Sequence, residues 1–187
     1  EFTGDDAKMY KGKPVQYLED QKILSKTIPV KLPTEYEFEL PEDTWKFLSE
    51  SSIKTGKGDK NEFTEDTFKK MANDNIRNIL IIRKLKELIN TGKKELNDTG
   101  KKILYFSTDV KQSLLVFIVL QQIGINAIHV QSGIDPSFRR QIIKKFKDTN
   151  EIDIICNYNI FSTGFDVPNL DVVFIARPVN SPVLFNQ

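Results

Sequence analysis

Ile103-Leu104-Tyr105-Phe106-Ser107-Thr108-Asp109 is the stretch on which the fold turns. An apolar run rich in β-branched and aromatic side chains, followed at once by two hydroxyls and an acid, is how a buried strand ends and a capped helix begins. The helix that follows holds Leu114 to Leu120 and stops at Gly124. The alternation then repeats: a strand Ala127 to Val130, a turn, a helix from Pro136 through Lys147, a strand Ile152 to Cys156, a loop, and a strand Val172 to Ile175. Pro136 behind Asp135 suits the first position of a capped helix, and Phe138, Ile142, Ile143 and Phe146 give that helix one apolar face. Such βα units imply an α/β domain, a mostly parallel sheet with helices on both faces and right-handed crossovers. Functional loops of these sheets gather at the carboxyl ends of the strands. Ser107, Ser132 and the loop 157–170 all follow strands and are expected along that one edge.

Upstream, Thr64 reads as an N-cap, with Glu65 and Asp66 in the first turn. An apolar face through Phe68, Met71, Ile76, Ile79 and Leu80 predicts one helix that stops near Asn90 to Gly92. Residues 42–53, around Trp45, Phe47 and Leu48, suit a short helix, and Lys54 to Lys60 a polar loop. Residues 1–41 carry Pro14, Pro29, Pro33 and Pro41, which argues for extended connections and no long helix. The chain thus divides into a lead-in, 1–41, and a domain, 42–187.

Composition excludes more than it assigns. With 27 basic and 26 acidic side chains the net charge is +1, so any basic surface for a polyanion must be local. The single cysteine, Cys156, excludes an internal disulfide framework and fits a reducing, cytoplasmic setting. No stretch approaches the ~20 apolar residues that span a bilayer, and the first residues lack the layout of a secretory signal. Neither a membrane partner nor a protein-held metal is expected: His129, the only histidine, lies in a strand, where packing is the ordinary role. Cys156 reads as a small buried hydrophobe, and Lys144, Lys145 and Lys147 as a basic strip or simply a solvated helix face.

Ser162-Thr163-Gly164-Phe165-Asp166-Val167-Pro168-Asn169, followed by an apolar strand and Arg177-Pro178, carries the chemistry. A glycine between hydroxyls and an acid lets backbone amides approach a phosphate closely, and Asp166 can accept from a ribose hydroxyl or a guanidinium. Ser107 and Thr108, where a strand opens into a helix, suit either a phosphate or a cap, and the same division applies to Ser132 and Gly133. With Lys102 to Thr108, Val130 to Gly133 and Arg139 to Phe146 in the same order and spacing, residues 101–187 resemble the C-terminal RecA-like domain of superfamily 2 helicases. The look is closest to the motor subunits of type I and III restriction enzymes.

The resemblance implies a RecA-like three-layer sandwich that forms half of a motor. It places Ser107, Thr108, Ser132, Gly133, Arg139 and Ser162 on nucleic acid, with DNA favoured over RNA, and Gly164, Asp166 and Gln187 on the ATP side. Ser162-Thr163-Gly164 stands where many relatives have Thr-Glu-Gly. Met9 to Leu18, followed by Ile23-Leu24-Ser25-Lys26, resembles the connector between the two motor domains, where a strand leads into a turn. The arginine fingers of the family's sixth motif would follow its first glutamine, to which Gln187 corresponds. None of Gly12-Lys13, Gly56-Lys57, Gly92-Lys93 and Gly100-Lys101 is followed by the Ser or Thr of a P-loop. ATP and Mg2+ are therefore expected to be held jointly with an N-terminal RecA-like domain of the same parent chain, and these residues alone to be inactive as an ATPase. The different-class alternative is a degenerate or unrelated α/β module that binds a protein or a small ligand at the same edge.

Overall fold

The computed structural model describes residues 14–22, 26, 28–33, 65–95, 101–161 and 167–177. The chain separates into two compact units, Glu1–Glu35 and Tyr36–Gln187. In the first, α1 spans Pro14–Asp20 and ends in a turn at Lys22, whose φ is 57°. The connector resemblance led to the expectation of a strand across Met9 to Leu18. From Pro14 onward a helix stands there instead, proline suiting the first helical position, while residues 9–13 lie outside the described residues and residues 28–33 carry no regular element.

The second unit is the α/β domain. Helices α2 (Glu65–Asn73) and α3 (Asn75–Glu95) precede β1 (Ile103–Phe106), α4 (Val110–Gln122), β2 (Ala127–Val130), α5 (Pro136–Asp148), β3 (Ile154–Asn157) and β4 (Val172–Ile175). The four strands form one sheet in the order β2-β3-β1-β4, every pairing parallel. Phe106 lies level with Asn157 and Ile175, and Asn157 with Val130, so all four strands end at the same height.

Two apolar clusters flank the sheet. Ile103, Tyr105, Ile154 and Cys156 pack with Ile81, Leu85 and Ile89 of α3 and Val116 and Leu120 of α4. Leu104 and Ile155, one residue out of phase, pack on the opposite face with Ile142 and Phe146 of α5. The alternation of a strand's side chains thus sends each core to its own helical layer, as a sheet covered on both faces requires. Phe161, Val167 and Leu170 belong to the α5-side cluster. The described ends of the β3-to-β4 connection therefore pack on that face.

Further sequence expectations are corrected. The single helix expected from Thr64 to about Gly92 is broken at Asp74, whose carboxylate accepts from the Arg77 backbone N–H at 3.0 Å and caps a new helix. The phase shifts at the break, leaving Ile76 and Ile79 exposed while Ile81, Leu85 and Ile89 face the core. Helix α3 also continues past Gly92 to Glu95, because that glycine is set by packing: a Cβ there would lie 2.6 Å from the Lys101 amide nitrogen. On α5, Ile142 and Phe146 are buried but Phe138, one turn earlier, is exposed. Strand β3 runs Ile154–Asn157, later than the expected Ile152 to Cys156, for a reason that lies in Asn157 itself.

Elsewhere the local chemistry matches the elements. Asp109 caps α4 by accepting from the Gln112 N–H at 2.7 Å, and Gly124, at φ 79°, ends it in the left-handed conformation that favours glycine. Asp135 caps α5, accepting from the N–H groups of Ser137 at 2.8 Å and Phe138 at 3.2 Å. The Ser137 hydroxyl first, then those amides, hold the Asp135 carboxyl below its ordinary value.

Candidate nucleic-acid and nucleotide interface at the carboxyl edge

The parallel strands deliver four exits to one edge: Ser107 after β1, Gln131 to Ile134 after β2, Tyr158 onward after β3 and Ala176 after β4. The β1 exit is the hub. Ser107 is fully buried; its N–H donates to the Asn157 carbonyl at 2.9 Å, and its hydroxyl reaches that same carbonyl at 3.0 Å and the Asp109 carbonyl at 2.7 Å. Asn157 returns the contact, its side-chain amide donating to the Tyr105 carbonyl at 2.9 Å while its side-chain oxygen accepts from the Ile160 N–H at 3.4 Å. A buried polar side chain is tolerated when its groups are paired. Here the pairing extends β3 by the asparagine.

Thr108 is equally buried and turns the other way. Its hydroxyl donates to the Ala176 carbonyl at 2.8 Å, and its N–H to the side-chain oxygen of Gln112 at 2.7 Å. Gln112 donates onward to Asn78 at 2.7 Å, and Asn78 to the Ala72 carbonyl at 2.8 Å. Arg77, also buried, donates to the Ala176 carbonyl and reaches Thr108 Oγ1 at 3.4 Å. Burial lowers the pKa of its guanidinium, opposed by the neighbouring Tyr105 and Asp74.

At the β2 exit, Ser132 and Gly133 are exposed in the turn before α5, and Gly133 has φ 94° with open space where a Cβ would stand. Arg139, on α5, is half-buried, and its Nε is buried with no hydrogen-bond partner among the described residues. Ser132 is separated from Ser107 by the width of β3, ~10 Å at the usual strand spacing. Beyond β4, Arg177 stacks over the Phe106 ring at 5.9 Å and donates to the Asn159 side chain at 3.1 Å.

The edge therefore gathers Ser107, Thr108, Ser132 and Gly133, with Arg139 on the helix that leaves it. The two β1 hydroxyls are committed to carbonyls inside the domain, whereas the β2 turn faces solvent. Ser162, Gly164, Asp166 and Gln187 lie outside the described residues. The chain on either side of 162–166 is anchored, with Phe161 and Val167 buried and Asn169 donating to the Lys147 carbonyl at 2.8 Å. Among the described residues no cluster of three or more His, Cys, Asp or Glu could hold a metal.

Sequence reasoning missed Arg77, Asn78, Gln112 and Asn157. Gln112 had a signal: a polar side chain one turn before the buried Val116 and on the same face has to be either solvated or paired. Arg77 had none, since the broken helix hid the face on which it lies.

Two residues that invite functional readings serve the fold. Lys102 is buried at the opposite edge, where its Nζ donates to the Thr149 carbonyl and, at 3.0 Å, to that of Ile152, 5.3 Å from the centre of the Phe146 ring. Burial lowers its pKa, against the pull of Asp153 and Asp171. Cys156 is fully buried, and burial pushes its thiol far above the ordinary range.

Residues 64–187 match the model of the helicase conserved C-terminal domain. The chain belongs to that family. The helicase domain is 33% identical over 88 residues to a 51.5 kDa protein of a Lactococcus phage, the match covering 47% of this chain and 19% of the phage protein. It is 31% identical over 86 residues to a probable helicase of African swine fever virus, covering 46% of this chain and 10% of the viral protein. The chain thus spans a fifth or less of the length of these relatives. The crystal structure of T4 UvsW superposes with a TM-score of 0.51 at 21% identity, over 68% of this chain and 24% of that one, a likeness of fold. The parallel sheet with helices on both faces is accordingly the RecA-like sandwich of helicase C-terminal domains.

Proposed function

We propose that this domain is the second motor domain of an ATP-dependent nucleic-acid helicase or translocase. The observation that carries the reading is the convergence, on one edge, of the exits that the resemblance assigns to nucleic acid and nucleotide. The β2 turn with Ser132 and Gly133, together with Arg139 and Ser162, tracks the phosphate backbone. Ser107 and Thr108 join that surface as its braced floor. Gly164, Asp166 and Gln187 face ATP, which with Mg2+ is held jointly with an N-terminal RecA-like domain; ATP supplies the free energy of hydrolysis, and this domain's residues help to orient it. DNA is the favoured polymer, and the motif order resembles that of restriction-enzyme motor subunits.

Binding of the chain to single- and double-stranded DNA, measured across a salt series, tests the reading. Weak affinity that falls steeply with salt is expected, because phosphate contacts release counterions. Arg139→Ala should reduce the slope of log affinity against log salt by about one. Salt-independent binding, or none at low salt, would count against a phosphate-tracking edge.

A further inference from the structure

Arg77 stands in the first turn of α3, yet its guanidinium ends at the carboxyl edge of the sheet, joined to residues 31 and 99 positions away in sequence. The acceptors there are the Thr108 hydroxyl and the Ala176 carbonyl, and a further contact of 3.5 Å reaches the Met71 carbonyl. The Ala176 carbonyl takes two donors, Arg77 and the Thr108 hydroxyl, while the Ala176 N–H donates to the Phe106 carbonyl at 2.8 Å. Ala176 is the last residue before Arg177-Pro178, so the point at which the chain leaves β4 is held from both sides.

Taking a guanidinium out of water costs several kcal/mol, and an apolar side chain of similar volume would fasten a helix to a sheet at less cost. What an apolar side chain cannot do is fix the direction of a carbonyl. Arg77 and Thr108 together aim one carbonyl, and Thr108 is tied through Gln112 and Asn78 back to α2. Ser107, the neighbour of Thr108, is tied in turn to the β3 exit at Asn157. The β1, β3 and β4 exits are thus one hydrogen-bonded unit, with a charged anchor from outside the sheet.

We infer that Arg77 is a positioning residue of the motor, locking the β1 and β4 exits in the register in which their loops meet nucleic acid and nucleotide. The inference rests on the second-motor-domain reading, and the test separates the two. Arg77→Met, Arg77→Lys and Thr108→Val are made in the full-length protein. Hydrolysis of ATP is followed with and without DNA, well below each variant's unfolding midpoint.

Arg77→Met is expected to lower the DNA-stimulated kcat about tenfold or more, within the ~10²-fold that a 1 Å misplacement can cost, while KM for ATP changes less than about twofold. Arg77→Lys, which keeps a donor at the end of a long stem, should recover part of the loss. Thr108→Val should fall in the same direction, and the double variant should be no slower than Arg77→Met alone, since both act through one carbonyl. Folded Arg77→Met with wild-type kcat overturns the inference. Were Arg77→Met not to fold, wild-type kcat in folded Thr108→Val would overturn it equally. A wild-type protein with no DNA-stimulated hydrolysis overturns the second-motor reading itself.

Discussion

The Ser107 hydroxyl donates to the Asn157 carbonyl at 3.0 Å, and the Asn157 side chain donates back across the sheet to the Tyr105 carbonyl at 2.9 Å. The ends of β1 and β3 are therefore held by side chains as well as by the ladder. Asn157→Leu removes the amide and leaves the buried Tyr105 carbonyl without that donor. A loss of about 1–3 kcal/mol is expected by denaturant titration. A change below about 0.5 kcal/mol, the range of neutral surface substitutions, would show the bond to be incidental.

Gly92→Ala tests whether propensity or packing decides. Alanine in a helix is favoured over glycine by about 1 kcal/mol. The new Cβ, however, would meet the Lys101 amide nitrogen at 2.6 Å and the Lys101 Cγ at the same distance. Backbone cannot step aside as a flexible side chain can, and overpacking costs about 1–3 kcal/mol. The net effect is expected to be destabilising, read as a lowered midpoint. A stabilised variant would contradict the close approach.

The ring of His129 packs near that of Phe117, 6.1 Å between centroids, and burial lowers its pKa below the ordinary 6.5. The unfolded chain then takes up the proton first on acidification. The stability from this site is complete above the unfolded value and is lost as pH falls through the folded one. Thermal midpoints should decline as pH falls below the ordinary histidine range, about 6.5, and His129→Gln should flatten that part of the profile. An unchanged slope in the variant would assign the decline to other groups.

Cys156 is predicted to be inert in the native protein. Only the thiolate attacks, and here burial both raises the thiol's pKa and blocks access. A thiol reagent at about pH 8, near the ordinary thiol pKa, should label the denatured chain quickly and the native chain at a rate set by unfolding. Labelling at equal rates would place Cys156 at the surface.

Much of the fold was legible because its strands are bounded by residues that cannot continue them. Ile103–Phe106 is followed by Ser107-Thr108-Asp109, Ala127–Val130 by a turn with Gly133, and Val172–Ile175 precedes Arg177-Pro178, and all three strands stand where the sequence put them. Sequence alone ends strand β3 at Cys156, because Asn157 reads as a loop residue. Only its bond to the Tyr105 carbonyl, 52 residues away, makes it a strand residue. The upstream segment reads as one helix for the converse reason: Asp74 is an ordinary polar residue inside a periodic pattern, and only its carboxylate's bond to the Arg77 N–H makes it a cap. Long-range pairing also explains the site. The order of Ser107, Ser132 and the 157–170 loop after strands was readable, whereas the inward turn of the Ser107 and Thr108 hydroxyls depends on Asn157 and Ala176.

Turnover of ATP most directly tests the claim that this domain is half of a motor. Residues 1–187 alone should show no measurable hydrolysis. Joined to an N-terminal RecA-like domain with an intact P-loop, they should support hydrolysis that nucleic acid stimulates and that Asp166→Ala depresses without lowering the unfolding midpoint. Clear turnover by residues 1–187 alone, or wild-type stimulated turnover in the Asp166→Ala protein, would contradict the account.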